Sequence, residues 1–267
     1  MENRKIGYGS YWVAYFDLLG FANRVRVMPT VWPILEEYRT VLAEIRKNPE
    51  EIRSKWFSDT FLFYTPDDSE KSFAGIDAAC QFFFYRMTRS HIPVRGSLTV
   101  GDFYEDTSDG VLVGPALIDA YKLAERQDWL GFVLSPDAVR RREQYGFPRD
   151  YYREYDVPVD HSKSTERLEA FIISHDFPPD QLWKCIDDME GVALTMIEAE
   201  NSRGEKAQSQ DTRIEDERNR ILRKYRNTKG YLLHIAPWLA DCVEDKYGAI
   251  LLNKPEVRRI VREHASR

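Results

Sequence analysis

Cysteine is scarce in this chain. Three residues, Cys80, Cys185 and Cys242, are scattered and odd in number, which excludes a disulfide framework or a cysteine zinc site and suits reduced, buried thiols. No apolar run approaches the ~18–20 residues of a membrane span. The opening MENRKIGYGSYW has neither the apolar stretch nor the cleavage site of a signal peptide, so a cytoplasmic location is expected. Basic residues are not in excess: 38 Lys+Arg stand against 44 Asp+Glu, a formal charge of −6. That argues against a protein that coats nucleic acid, because phosphate neutralisation needs clustered cations. Histidines are few, and His91, His161, His234 and His264 show no metal-ligand spacing. His175-Asp176 comes without a nucleophile motif and reads as a loop pair. Apolar and aromatic residues are plentiful, at 43% and 13% of 267 residues. A sizeable core follows, in one large domain or one domain with an appendage.

Residues 11–17, YWVAYFD, read as an aromatic strand ending in an acid. Residues 31–47 carry Ile34, Leu35, Tyr38, Val41, Leu42 and Ile45 at helical spacing, stopped by Asn48-Pro49. Residues 53–65 look like two strands broken near Ser58-Asp59, and 70–89 like a helix with an aromatic face. Its FFFY at 82–85 suits a core or a dimer interface better than a stacking platform. Residues 94–104 and 131–135 read as strands, 114–127 and 136–145 as helices. The order β-α-β-β-α-β, with an added helix and strand, predicts a ferredoxin-like α+β fold: a mostly antiparallel sheet covered on one face by helices. From about residue 146 the character changes: a polar, proline-containing connector (145–164) leads to helices at 179–201 and 212–227, separated by a polar loop and followed by an apolar stretch at 230–243. The expected division is a catalytic domain over 1–146 and a mainly helical extension over 147–267 that packs on it. The 212–227 helix is rich in both charge signs and reads as a solvated face held by i,i+4 pairs.

Three segments carry chemistry. YFDLLGF at 15–21 ends a strand with Asp17, and KWFSDTF at 55–61 places Asp59 at a hairpin tip. If the two strands are neighbours, the carboxylates converge into a hard-oxygen site for Mg²⁺ or Mn²⁺. VRGSLTVGDFY at 94–104 offers Arg95, whose planar fork suits phosphate. Each residue alone also has a plain reading, a turn or capping aspartate or a surface arginine.

Taken together these segments resemble the class III nucleotidyl cyclases. Asp17-Leu18-Leu19-Gly20-Phe21 is similar to the family's F-x-D-I-x-G-F motif. KWFSD at 55–59 is similar to K-x-x-G-D, with Ser58 in the glycine's place. RGSLTVG at 95–101 sits where the family has R-x-G-x-H-x-G, and GPALIDAYKL at 114–123 resembles G-x-x-V-N-x-A-x-R-L. The correspondence spans about residues 8–140. The wording of the first motif and the helical extension look most like the bacterial Pycsar cyclases, antiphage enzymes that make cyclic UMP or cyclic CMP.

The resemblance implies a class III cyclase core. Two divalent cations, Mn²⁺ or Mg²⁺, would sit on Asp17, Asp59 and the Leu18 carbonyl. Gly20, Phe21 and Arg95 would contact the triphosphate. Lys55 falls at the base-reading lysine of adenylate cyclases, and Lys122 at the arginine that stabilises the transition state, with Arg126 one turn later as a substitute. The resemblance also implies a homodimer with shared active sites. This chain departs from the pattern at Ile118, which replaces the ribose-orienting asparagine, and near Val111, where adenylate cyclases keep an acidic base reader. Loss of that acceptor disfavours ATP and favours UTP over CTP, with Lys55 as donor to a uracil carbonyl. A purine cyclase, and a degenerate cyclase-homology domain that binds without turnover, stand as alternatives.

Overall fold

The computed structural model describes residues 6–25, 31–45, 47, 52–147, 151–160, 164–171, 179–203 and 208–242. Its centre is β1 (Ile6–Leu18), in which residues 11–16 are all buried. Alternation sends Trp12, Ala14 and Phe16 to one face and Tyr11, Val13 and Tyr15 to the other, and the two sets join separate cores. A strand that is apolar on both sides requires cover on both sides. The first face is covered by α2 (Trp32–Ile45) and α3 (Glu70–Arg89), the second by α4 (Pro115–Arg126). Helices therefore lie on both faces, not on one as the alternation of elements suggested. The buried residues of α4 on this face are Ala116, Ala120 and Ala124, small enough to bring the helix close to the sheet.

β2 (Arg53–Phe57), β3 (Thr60–Tyr64), β1 and β4 (Val94–Asp106) stand side by side in that order, antiparallel throughout. α2 crosses from β1 to β2, and α3 from β3 to β4. This is the ferredoxin-like split β-α-β arrangement. α3 begins at Ser69, whose side chain accepts the Ser72 N–H, a cap of about 1 kcal/mol. Its Phe73, Ile76, Cys80, Phe83 and Met87 recur at helical spacing and are buried. The ring of Phe16 stacks on Phe132 at 5.0 Å and tilts against Phe83 at 4.6 Å. Gly96 makes room for it: a β-carbon there would sit 2.5 Å from Phe16 Cδ1 and 2.7 Å from the Tyr15 carbonyl oxygen.

The sheet continues beyond this unit. β5 (Val111–Val113) pairs with the end of β4, and β6 (Phe132–Leu134) runs parallel to β4 after the α4 crossover. α5 (Pro136–Gln144) follows, capped by Ser135. Residues 145–164, read from sequence as a connector, contain β7 (Tyr152–Val159) and the first residue of β8 (Ser164–Phe171). Pro158 concealed β7, and its position explains it: β7 is the edge strand, where a missing N–H is tolerated. The full order is β2-β3-β1-β4-β6-β8-β7 in an eight-stranded sheet. The fold is thus α+β, a mixed and mostly antiparallel sheet covered by helices.

α6 (Pro179–Arg203) and α7 (Gln208–Cys242) complete the described chain. The sequence reading of separate charged and apolar segments after residue 212 becomes one helix. Trp129, Val133, Val157 and Leu168 on the sheet side meet Leu182, Ile186 and Met189 of α6 and Tyr231 and Ile235 of α7 in a third core. Cys80 and Cys185 are free and buried. The side chains of Cys242, His161, His175, Asp176 and His264 lie outside the described residues. Among the described residues no helix is long and apolar enough to cross a membrane.

Candidate active site

The rim of the sheet where β1 ends brings the acidic segments together. Asp17 pairs in register with Thr60 of β3 and with Arg95 of β4. The β2–β3 turn, Ser58-Asp59, lies beside it, and the Leu18 N–H donates to the Asp59 carbonyl at 2.9 Å. Strand adjacency, which the sequence posed as a condition, is met. Ser58 takes a left-handed backbone (φ 54°), the conformation for which a glycine is suited. After Leu18 the chain turns at Gly20 (φ 71°) into the short helix α1 (Phe21–Val25). The turn is tied down by the Leu19 N–H, which donates to the Pro93 carbonyl at 2.9 Å.

Asp17 and Asp59 line one cleft of about 390 Å³, together with Leu18, Gly20, Phe21 and Arg95. Six of the eight residues singled out from sequence thus share one opening. Arg95 is nearly buried. Its Nε and Nη2 both reach Asp17 Oδ2 at 2.8 Å, and its Nη1 donates to the carbonyls of Glu125 at 2.7 Å and Gln127 at 2.9 Å. Those carbonyls belong to the end of α4, where a helix favours a cation. Burial raises the Asp17 carboxyl above its usual range, Arg95 opposes this, and Asp59 adds to it. The Asp59 carboxylate has no hydrogen-bond or ion-pair partner among the described residues.

The remaining two do not line this cleft. Lys55 is exposed on β2 and Lys122 is exposed on α4. Arg126, the proposed substitute for Lys122, is committed elsewhere: it pairs with Glu166 at 3.0 Å and Asp160 at 3.4 Å, on the β7–β8 side. Ile118 and Val111 are both exposed. Of the residues at 82–85, Phe83 and Phe84 are buried in the first core and Phe82 packs against it.

The roof of the cleft was missed from sequence. α6 contributes Met189, Met196 and Ile197, and α7 contributes Arg220, Ile221 and Lys224. Burial pushes the Lys224 ammonium down to about 8, helped by Arg95 and Arg220 and opposed by Asp128 and Asp17. The 212–227 segment does hold surface pairs, such as Glu217 with Arg220 at 2.7 Å. A signal was present, however: Ile221, Lys224, Tyr225 and Thr228 recur at helical spacing, and Lys224 lies on that stripe.

Chemically, the Asp17 and Asp59 carboxylates are hard-oxygen donors, and Arg95, Arg220 and Lys224 line the same cleft. No group of three or more His, Cys, Asp or Glu that could hold a metal occurs among the described residues, so any cation here rests on the pair and on oxygens from the backbone or a ligand.

No protein-family model matches the sequence, and no curated protein matches it. Solved structures with a similar arrangement include the adenylyl cyclase CyaB from P. aeruginosa, at 10% identity over 64% of this chain and 98% of that chain, with a TM-score of 0.49. The adenylate/guanylate cyclase/hydrolase from Silicibacter pomeroyi shares 13% identity over 63% of this chain and 99% of that chain, TM-score 0.45. The monomeric guanylyl cyclase domain of the RhoGC fusion protein from the aquatic fungus Blastocladiella emersonii shares 14% over 63% and 97%, TM-score 0.45. At identities and scores this low, none of these likenesses carries the functional reading that follows.

Proposed function

We propose that the chain is a nucleotidyl cyclase that converts a pyrimidine nucleoside triphosphate, UTP in preference to CTP, into its 3′,5′-cyclic monophosphate and pyrophosphate. The observation that carries this reading is the meeting of Asp17 and Asp59 in one cleft with Arg95 beside them. The site fits divalent cations. Its donors are hard oxygens, the Asp59 carboxylate is unpartnered among the described residues, and Asp17 is raised by burial even with Arg95 in contact. Asp17, Asp59 and the Leu18 carbonyl would hold two cations, Mn²⁺ or Mg²⁺. When bound, these supply charge for the departing pyrophosphate and acidify the 3′-hydroxyl.

The protein's own residues do the remaining work by positioning and charge. Arg95 is anchored by two carbonyls and presents a fixed guanidinium at the cleft, suited to phosphate oxygens. The β1–α1 turn at Gly20 and Phe21 shapes the opening beside it. Lys55 and Lys122, both exposed, would serve a second protomer's site in a homodimer. Exposed Ile118 and Tyr121 on α4 and Val111 and Val113 on β5 offer apolar surface for such a contact. An apolar residue at 111 leaves no acceptor for an exocyclic amine, which supports a uracil base read by a donor such as Lys55. The product would serve as a second messenger in antiphage defence, in keeping with the resemblance of the YFDLLGF motif.

The test is incubation of the full chain with each of the four ribonucleoside triphosphates and Mn²⁺, followed by separation of products. Cyclic UMP as the main product supports the proposal. Cyclic AMP or GMP alone would transfer it to the purines, and binding without any cyclic product would mark a non-catalytic domain.

A further inference from the structure

We propose that α7 supplies a polyphosphate-contacting cation to the cleft of its own chain: Lys224, seconded by Arg220 one turn earlier, faces the carboxylate floor and completes the phosphate seat without a partner protomer. This rests on the cyclase reading of the same site, and adds to it a residue from outside the segments that carry the resemblance.

The argument is geometric. Lys224 and Arg220 line the cleft that Asp17, Asp59 and Arg95 line from below. Lys224 is half-buried on the inward stripe of α7, between Ile221 and Tyr225. A buried ammonium is ordinarily paired. This one has no carboxylate within 4 Å among the described residues, although its helix neighbours do: Arg223 reaches Asp128 at 2.5 Å and Arg220 reaches Glu217 at 2.7 Å. The nearest cationic influences on Lys224 are Arg95 and Arg220. In the cleft Asp17 is taken by Arg95 and Glu217 by Arg220, which leaves the Lys224 ammonium without an ion pair and open to an anionic guest. The cations on the floor would bring with them a polyanion whose charge exceeds what Arg95 alone can meet. α6 and α7 are held over the site by the third core, which includes Met189, Tyr225 and Tyr231, so the ammonium is presented by a packed helix and not by a loose tail.

The test measures binding of inorganic tripolyphosphate to the full chain by calorimetry, and turnover of the four triphosphates, for the parent, Lys224→Gln and Lys224→Arg. Circular dichroism checks the fold of each. Loss of one charge-assisted contact should weaken tripolyphosphate binding at least about tenfold in Lys224→Gln, with most of it restored in Lys224→Arg. KM should rise in parallel if the parent turns over a triphosphate. A parent that binds tripolyphosphate through Lys224 but makes no cyclic product keeps this inference and removes the cyclase reading. A parent that makes product while Lys224→Gln binds and reacts as the parent does removes this inference and keeps the reading. Failure of the parent to bind tripolyphosphate overturns the inference outright.

Discussion

Arg95 grips Asp17 through a single carboxylate oxygen, with Nε and Nη2 both 2.8 Å from Oδ2. The same guanidinium closes the end of α4 through the Glu125 and Gln127 carbonyls. One side chain therefore ties β4 to β1 and to α4, and holds Asp17 by Oδ2.

Removing that side chain should cost stability as well as activity. Arg95→Ala leaves a buried carboxylate and two carbonyls without their donor, a loss of about 3 kcal/mol. Urea unfolding measures it. Excess Mn²⁺ should recover part of the loss, because a cation takes the place of the guanidinium charge beside Asp17. An Arg95→Ala protein as stable as the parent would show that the pair does not hold the rim together.

Asp17→Asn and Asp59→Asn should each abolish cyclic nucleotide formation while the fold persists, since neither removes core volume. Product assays beside near-ultraviolet circular dichroism separate the two effects. Retained turnover in either purified variant would refute the cation assignment.

Ser58 sits in the left-handed region at the hairpin tip, exposed to solvent, where a side chain costs about 1–2 kcal/mol. Ser58→Gly should stabilise the protein by about 1 kcal/mol, the remainder going to the greater freedom of glycine in the unfolded chain. A shift of the urea midpoint to higher concentration at constant slope is the expected result, and a shift to lower concentration the contrary one.

Lys224 makes stability depend on pH. The groups that face it are Arg95 from β4, Arg220 of its own helix, Asp128 before β6 and Asp17 of β1, and burial is the largest influence. Its folded value of about 8 lies below the ordinary 10.5. The unfolded chain therefore binds more protons between these limits, and stability rises with pH across them. Below pH 8 the full cost of the buried charge is present. Lys224→Met should raise Tm at pH 7, by about 2–4 °C for each kcal/mol relieved, and the gain should shrink by pH 10. Equal gains at the two pH values would assign the effect to packing instead.

Much of the first 145 residues was legible because their signals are local. YWVAYFD reads as a strand from its own composition, α3 from the spacing of its aromatics, and the β2–β3 hairpin from the break at Ser58-Asp59. β7 was not legible: Pro158 and alternating charges imitate a loop, and only its place at the sheet edge makes the proline acceptable. β5 is too short, at 3 residues, to show a period.

The amino-acid order by itself determined β1, the β2–β3 hairpin, the helices α2 to α5 and the nature of the floor residues, because burial pattern and turn chemistry act over a few residues. That Asp17 and Asp59 share a cleft, that Arg126 turns away to Asp160 and Glu166, and that Lys224 enters from above were decided only by tertiary structure. These pairings join segments far apart in the chain, and they arise from the summed burial of three cores, a quantity that no single segment contains.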